Sequence, residues 1–194
     1  MIIATQPQTL VQKLYPQNNL TKNLLLIATA SLLIAVLAQI SIPLQPVPVT
    51  GQTLGVFLVA LALGWRLGTL AIGLYLLEAA IGLPVLAGFS GGLTPLTGAT
   101  AGYLFGFILA GLAVGYLADK GWTKSPILIG VAMLIGTILI YIPGLLWLRF
   151  AIPALSSLES LLAAGFTPFI LGDSLKAVLA AVLLPSAWAL LGKR

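Results

Sequence analysis

The chain has 194 residues, of which 60% are hydrophobic and 7% are charged, and its mean hydropathy is +1.14. Nine Lys and Arg and four Asp and Glu give it a net charge of +5. A soluble domain carries about a quarter charged residues, so these charges are too few for a water-soluble globule and indicate a surface that faces lipid. The chain has no Cys and no His, so a disulfide and a thiolate metal site are excluded and the commonest metal ligand is missing. We expect no metal and no cofactor.

Six apolar stretches, separated by breaks rich in Gly, Pro or charge, predict membrane-crossing helices. They are Leu24 to Ile40, Thr53 to Gly64, Leu67 to Leu83, Thr100 to Leu117, Pro126 to Leu148 and Pro168 to Leu191. Because they are continuously apolar rather than alternating, a membrane β-barrel is disfavoured. The predicted fold class is an all-α integral membrane protein with six transmembrane helices. Residues 1–22 form a polar arm, either a surface helix or disordered, and residues 23–194 form one membrane domain.

Basic residues fall unevenly on the two sides of this six-helix arrangement. Seven of the nine lie on one side, namely Lys13, Lys22, Arg66, Lys120, Lys124, Lys193 and Arg194. Arg149 lies on the other side, and Lys176 lies inside the sixth stretch. Because Lys and Arg are enriched in cytoplasmic loops, we expect the N-terminus and the C-terminus to be cytoplasmic. The protein is then a multi-pass protein of the bacterial inner or plasma membrane.

The connections 41–51 and 84–99, on the opposite side, carry no charge and are rich in Pro and Gly. Such uncharged, largely apolar connections suggest a lid packed over a cavity, with a re-entrant structural hairpin as the alternative. Within helices, small residues four apart allow close approach to a neighbour. Ser31 and Ala35 form such a pair on the first helix, which either packs the bundle or docks a partner subunit.

Three ionisable residues, Glu78, Asp173 and Lys176, lie within or at the ends of apolar stretches. Each costs a few kcal/mol in hydrocarbon if it is unpaired. The six-helix arrangement places all three in the outer half of the bundle, which is the half away from the cytoplasm. Asp173 and Lys176 share one helix face. They form either a structural ion pair or a ligand site that accepts N–H groups and binds a carboxylate or carbonyl. Glu78 has to be offset by a ligand or by Lys176.

Little in the sequence supports catalysis. Ser174 and Lys176 are two positions apart on a helix and do not face each other, and no Gly-rich Walker loop is present for ATP. We therefore expect no catalytic residues and no enzyme. Cytoplasmic loops account for the positive charge, so nucleic acid is not an expected partner. A membrane scaffold, in which the outer charges are only structural pairs, stays open as an alternative.

Five motifs occur in the order and spacing of a known family. They are Pro46 to Thr53 (PVPVTGQT), Tyr75 to Ala87 (YLLEAAIGLPVLA), Ser90 to Gly92 (SGG), Gly98 to Tyr103 (GATAGY) and Gly172 to Ala177 (GDSLKA). Over about residues 24–190 the chain resembles the BioY family, the biotin-specific substrate-capture (S) components of energy-coupling-factor (ECF) vitamin transporters. Family members often have Pro where Ala99 stands here.

The resemblance implies a six-helix S-component bundle with a biotin pocket on the outer side, covered by the loop between the first two helices. It implies an ECF transmembrane coupling protein and two ABC-type ATPases as partners. It also implies that Asp173 and Lys176 lie in the biotin site. Further candidate site residues are Phe89, Ser90, Gly91, Gly92, Gln52, Glu78 and Tyr103.

The chemistry of biotin suits these residues. We expect Asp173 to accept the ureido N–H groups and Lys176 to hold either the carboxylate or the ureido carbonyl. A ligand role for Gln52 and Glu78 is our own inference from positions that match the family. Another vitamin, such as thiamine or riboflavin, is the alternative ligand within the same fold.

Overall fold

The structure, a computed structural model, describes residues 9–14 and 19–192 as a helical bundle with one short β-hairpin. The helices are α1 (Leu10–Leu14), α2 (Leu20–Ala38), α3 (Gln52–Ala80), α4 (Leu93–Thr97), α5 (Ala101–Asp119), α6 (Pro126–Ala151), α7 (Leu158–Gly165) and α8 (Ile170–Gly192). The hairpin pairs β1 (Ser41–Ile42) with antiparallel β2 (Val49–Thr50). Turns of 3-10 helix cover Ala87–Phe89, Trp122–Lys124 and Thr167–Phe169.

Five helical segments of the described chain are long and apolar enough to cross a membrane. They are Leu20–Ala38, Gln52–Ala80, Ala101–Asp119, Pro126–Ala151 and Leu158–Leu190. Their outer faces expose many Leu, Ile and Val side chains, as contact with lipid tails requires. A helical membrane protein was expected and is confirmed. The β-hairpin is an addition that hydrophobic periodicity could not indicate, because each of its strands has two residues.

Helix α3 is interrupted at Gly64, whose φ of 76° and ψ of −178° are not helical. Residues 23 positions apart on a straight helix are about 35 Å apart, yet Gln52 Nε2 lies 2.6 Å from Tyr75 Oη. The two halves of α3 therefore run back along each other. Asp119 Oδ2 accepts the backbone N–H of Trp65 at 3.1 Å, directly after the break. Its carboxylate occupies the space of a Cβ at Gly64, so only glycine fits this turn.

Helix α5 packs closely against α3 and α6 through its glycines. A Cβ on Gly106 would lie 2.8 Å from the Cα of Ile140 in α6. A Cβ on Gly115 would lie 2.5 Å from the Cα of Trp65 in α3. The small residues of α5 therefore bring three segments of this chain together.

The Ser31 and Ala35 pair lies inside the bundle, so of the two roles left open for it the structure favours packing within the bundle. Ser31 is fully buried and Ala35 is 7% exposed. This face of α2 turns towards α3, where a Cβ on Gly55 would lie 3.2 Å from the Cα of Ile34. The small side chains thus allow α2 to approach a helix of the same chain.

Only part of the predicted polar arm is described. Outside the described residues lie 1–8, 15–18, Lys193 and Arg194. Helix α2 begins at Leu20, four residues before the apolar stretch that predicted it, because the side chain of Asn19 caps its first turn. A division at residue 22 between an arm and a membrane domain stays a prediction.

The described piece of the arm is attached to the end of α5. Thr9 and Gln12 cap α1 reciprocally, since each side chain accepts the backbone N–H of the other at 3.3 Å. Gln12 Nε2 donates to Asp119 Oδ1 at 3.4 Å. Asp119 therefore contacts both α1 and the turn within α3.

The close approach of α5 to α6 predicts the effect of a single methyl group. Gly106→Ala places its Cβ against the backbone of Ile140, so the helices have to separate, and we expect a loss of about 1–3 kcal/mol in the free energy of unfolding. Thermal unfolding of the purified protein in detergent measures this loss. The matched control is Gly73→Ala, because a Cβ at Gly73 meets nothing within 4 Å. Equal melting temperatures for the two variants would contradict this packing.

Candidate functional site

An ion pair at the start of α8 forms the polar centre of a cavity between α3, α5, α6 and α8. Lys176 Nζ and Asp173 Oδ1 are 2.9 Å apart, and the two side chains are 12% and 17% exposed. Asp173 Oδ2 accepts the hydroxyl of Tyr141 in α6 at 2.6 Å. Lys176 Nζ also donates to Thr53 Oγ1 in α3 at 2.7 Å. Three helices therefore hold this pair in place.

The local sequence explains why the pair forms here. The turn Thr167–Phe169 leads directly into α8, so Asp173 falls in the first turn of that helix. Free N–H groups at a helix N-terminus favour a carboxylate. Lys176 follows three positions later and reaches the carboxylate on the same face. Removal of either partner would leave an uncompensated, partly buried charge, so each depends on the other.

The pair keeps hydrogen-bonding capacity for a ligand. Each carboxylate oxygen of Asp173 has two lone pairs, and the described contacts use one on each oxygen. Lys176 has three N–H donors, and the described contacts use two. The cavity thus offers two acceptor sites and one donor from a pair with no net charge. This arrangement suits a ligand with N–H groups close to a carbonyl or carboxylate.

Apolar and aromatic side chains make up most of the remaining wall. Val47, Pro48 and Thr50 come from the segment of the β-hairpin, which therefore covers one side of the cavity. The other helices supply an apolar surface that could enclose a ring system. This surface consists of Tyr103, Leu104, Phe107, Ile140 and Phe169.

Gln52 and Tyr103, both predicted site residues, line the cavity but direct their polar groups to the protein. Gln52 donates from Nε2 to Tyr75 Oη at 2.6 Å and accepts the Thr50 hydroxyl at Oε1 at 2.9 Å. Tyr103 Oη donates to the carbonyl of Gly165 at 2.8 Å. These two residues therefore shape the cavity and position their neighbours.

The Gly-rich loop does not reach the cavity. Phe89 is 70% exposed, and neither it nor Ser90, Gly91 or Gly92 belongs to the cavity wall. Instead the loop is fastened to the ends of two helices. Gln39 at the end of α2 accepts the backbone N–H of Phe89 at 3.0 Å, and the Gly92 N–H donates to the last turn of α3 at 2.7 Å. These hydrogen bonds place the loop beside the ends of α2 and α3. A ligand role for its four residues stays a prediction.

Glu78 also lies apart from the cavity, and its partner is a serine. The Ser31 hydroxyl on α2 donates to Glu78 Oε2. Lys176 pairs with Asp173 instead. Lys176 therefore does not offset Glu78, which accepts a hydrogen bond from the neighbouring helix instead. A ligand role for Glu78 stays a prediction.

Two polar residues that hold the ion pair, Thr53 and Tyr141, were not predicted as site residues from the sequence. Thr53 ends the motif PVPVTGQT, and Tyr141 lies in the middle of an apolar stretch. A polar group within or beside a membrane span is itself a signal of function. That signal does not show which groups meet, because the contacts depend on how α3, α6 and α8 pack.

Comparisons with known proteins agree with this fold. Residues 7–193 match the profile described as the BioY family. The biotin transporter BioY of Thermotoga maritima is 43% identical over 155 residues, which cover 78% of this chain and 86% of the relative. The biotin transporter BioY2 of Lactococcus lactis subsp. cremoris is 39% identical over 167 residues, covering 86% and 90%.

A solved structure has the same fold. The crystal structure of the S-component for biotin from an ECF-type ABC transporter matches with a TM-score of 0.73 and 28% sequence identity. The match covers 86% of this chain and 90% of that chain. The profile, the relatives and the fold together show that the chain belongs to the BioY family.

Proposed function

We propose that this chain is the biotin-binding S component of an ECF-type vitamin transporter in the bacterial inner or plasma membrane. The observation that carries the proposal is the Asp173–Lys176 ion pair, which has no net charge and keeps two acceptor sites and one donor free, in a cavity walled by apolar and aromatic side chains. Relatives named as biotin transporters and a solved S-component for biotin support the choice of ligand.

Each part of biotin has a matching part of the cavity. Asp173 accepts hydrogen bonds from the ureido N–H groups, and Lys176 donates to the ureido carbonyl or to the carboxylate. Tyr103 and Phe169 cover the apolar bicycle and chain. Since the chain captures and releases biotin without changing it, it needs no catalytic residue, no metal and no cofactor.

The chain crosses the membrane six times in this proposal. The reversal at Gly64 supports counting α3 as two crossings, and the other long helices supply four. The basic residues then support a cytoplasmic N-terminus and C-terminus. The hairpin and the start of α8 face outward, so biotin enters from the outer side.

Energy for release comes from partners. The 194 residues contain no Gly-rich Walker loop, so ATP binds elsewhere. The proposed assembly joins this chain to an ECF transmembrane coupling protein and two ABC-type ATPases, consistent with the solved S-component from an ECF-type ABC transporter.

Direct binding tests the ligand. We expect the purified full chain in detergent to bind labelled biotin, and we expect a hundredfold excess of thiamine or riboflavin to leave that binding unchanged, because neither carries a cyclic urea beside an aliphatic carboxylate. Equilibrium binding in the presence of each competitor measures this. Competition by thiamine or riboflavin would assign the cavity to another vitamin. Absence of binding to all three would favour the membrane scaffold.

If Asp173 accepts the ureido N–H groups, a change at this carboxylate should weaken biotin binding. Asp173→Asn removes a charged acceptor while keeping the side-chain size, so we expect biotin affinity to fall about 10- to 100-fold, as for the loss of a hydrogen bond to a charged group. Isothermal titration calorimetry measures the dissociation constant. The matched control is Glu159→Gln, an exposed carboxylate on α7 outside the cavity. Equal biotin affinity of Asp173→Asn and the native chain would exclude Asp173 from the site.

The absence of Cys makes the topology testable by single-cysteine labelling. We introduce Lys120→Cys, between α5 and α6, and Ala154→Cys, between α6 and α7; both positions are exposed. A membrane-impermeant maleimide added to intact cells should label residue 154 and leave residue 120 unlabelled until the membrane is opened. Labelling of both positions in intact cells, or of residue 120 alone, would contradict the proposed orientation.

A further inference from the structure

The position of the Asp173 carboxylate depends on a residue of another helix. Lys176 binds Oδ1 from the same helix, at 2.9 Å, and is itself bound to Thr53 of α3. Tyr141 binds Oδ2 from α6, at 2.6 Å. Of the two direct contacts to the carboxylate, only the one from Tyr141 comes from another helix.

Tyr141 itself is held firmly by other rings. Its side chain is 9% exposed. The ring meets Tyr103 and Phe166 edge to face, with centroid distances of 5.9 and 5.2 Å, and Phe169 lies at 6.0 Å. Such contacts stabilise one ring orientation. The hydroxyl is therefore a fixed donor, and the aromatic cluster determines where it points.

Tyr141 and Asp173 also separate two hollows. Both residues line the cavity described above, and both line a second, largely apolar hollow between α6 and α8. Met133, Ile138 and Phe166 belong to the wall of the second hollow only. A carboxylate without the Tyr141 hydrogen bond could rotate towards this second space, where its lone pairs would not meet a ligand in the first.

We propose that Tyr141 is a positioning residue for ligand binding, which acts by holding Asp173 so that its free lone pairs face the cavity. The inference rests on the proposed function, since the ligand is taken to be one that presents N–H donors of a cyclic urea. Tyr141 then selects ligands indirectly. It orients the acceptor that recognises the N–H groups and makes no contact of its own with them.

A double-mutant cycle in biotin binding tests this role. The four proteins are the native chain, Tyr141→Phe, Asp173→Asn and the double variant, each purified as the full chain in detergent. We expect Tyr141→Phe alone to weaken biotin binding about tenfold, as for the loss of a hydrogen bond to a charged group. In the Asp173→Asn background the same change should cost less than about twofold, because the carboxylate it orients is gone.

Tyr103→Phe is the matched control. It removes a hydroxyl from a ring of the same cluster, but this hydroxyl binds the Gly165 carbonyl rather than Asp173. Whatever its own effect, we expect that effect to be equal in the native and Asp173→Asn backgrounds. The Tyr141→Phe variant keeps the ring contacts of the native side chain. Melting temperatures of all variants show whether each remains folded.

The outcomes separate the two proposals. The positioning role is supported if the native chain binds biotin and Tyr141→Phe lowers biotin affinity about tenfold in the native background but not in the Asp173→Asn background. The positioning role is overturned if the native chain binds biotin but Tyr141→Phe leaves biotin affinity unchanged, or lowers it equally in both backgrounds. The proposed function then stays intact. Native chain that binds no biotin overturns the proposed function and this inference with it.

Discussion

The pairing of Asp173 with Lys176 is the interaction on which the rest of the site depends. Two opposite charges in a membrane-spanning bundle are costly unless each remains paired and hydrogen-bonded. Here the contact within α8 is completed by Tyr141 from α6 and Thr53 from α3. These partners leave lone pairs and one N–H free. The same network therefore stabilises the charges and offers them to a ligand.

The backbone of the bundle is arranged so that these three helices can meet. Gly64 turns α3 back on itself, and the close contact at Gly106 brings α5 against α6. The ring of Tyr141 is then fixed among neighbouring aromatic side chains. Small residues along the helices therefore position the helices that carry the site.

Much of this could be predicted from the sequence, and the reasons for the misses are physical. Apolar stretches and basic residues indicated the helices, and the spacing of Asp173 and Lys176 indicated their pairing. The contact of Glu78 with Ser31 was not predicted, because Ser31 comes from a helix far away in sequence. Phe89 is a site residue by resemblance, but its backbone binds Gln39 and its side chain is not part of the cavity wall. Contacts between helices depend on packing, which local patterns do not encode.

A structure of the protein determined with biotin bound is the most direct measurement of the central claim. The account predicts biotin in the cavity between the hairpin and Tyr103, with a polar atom of biotin about 2.7–3.2 Å from Asp173 and another from Lys176. Tyr141 should still donate to Asp173. Biotin bound elsewhere, for instance against the Gly-rich loop, with the Asp173–Lys176 pair making no contact to it, would contradict the account.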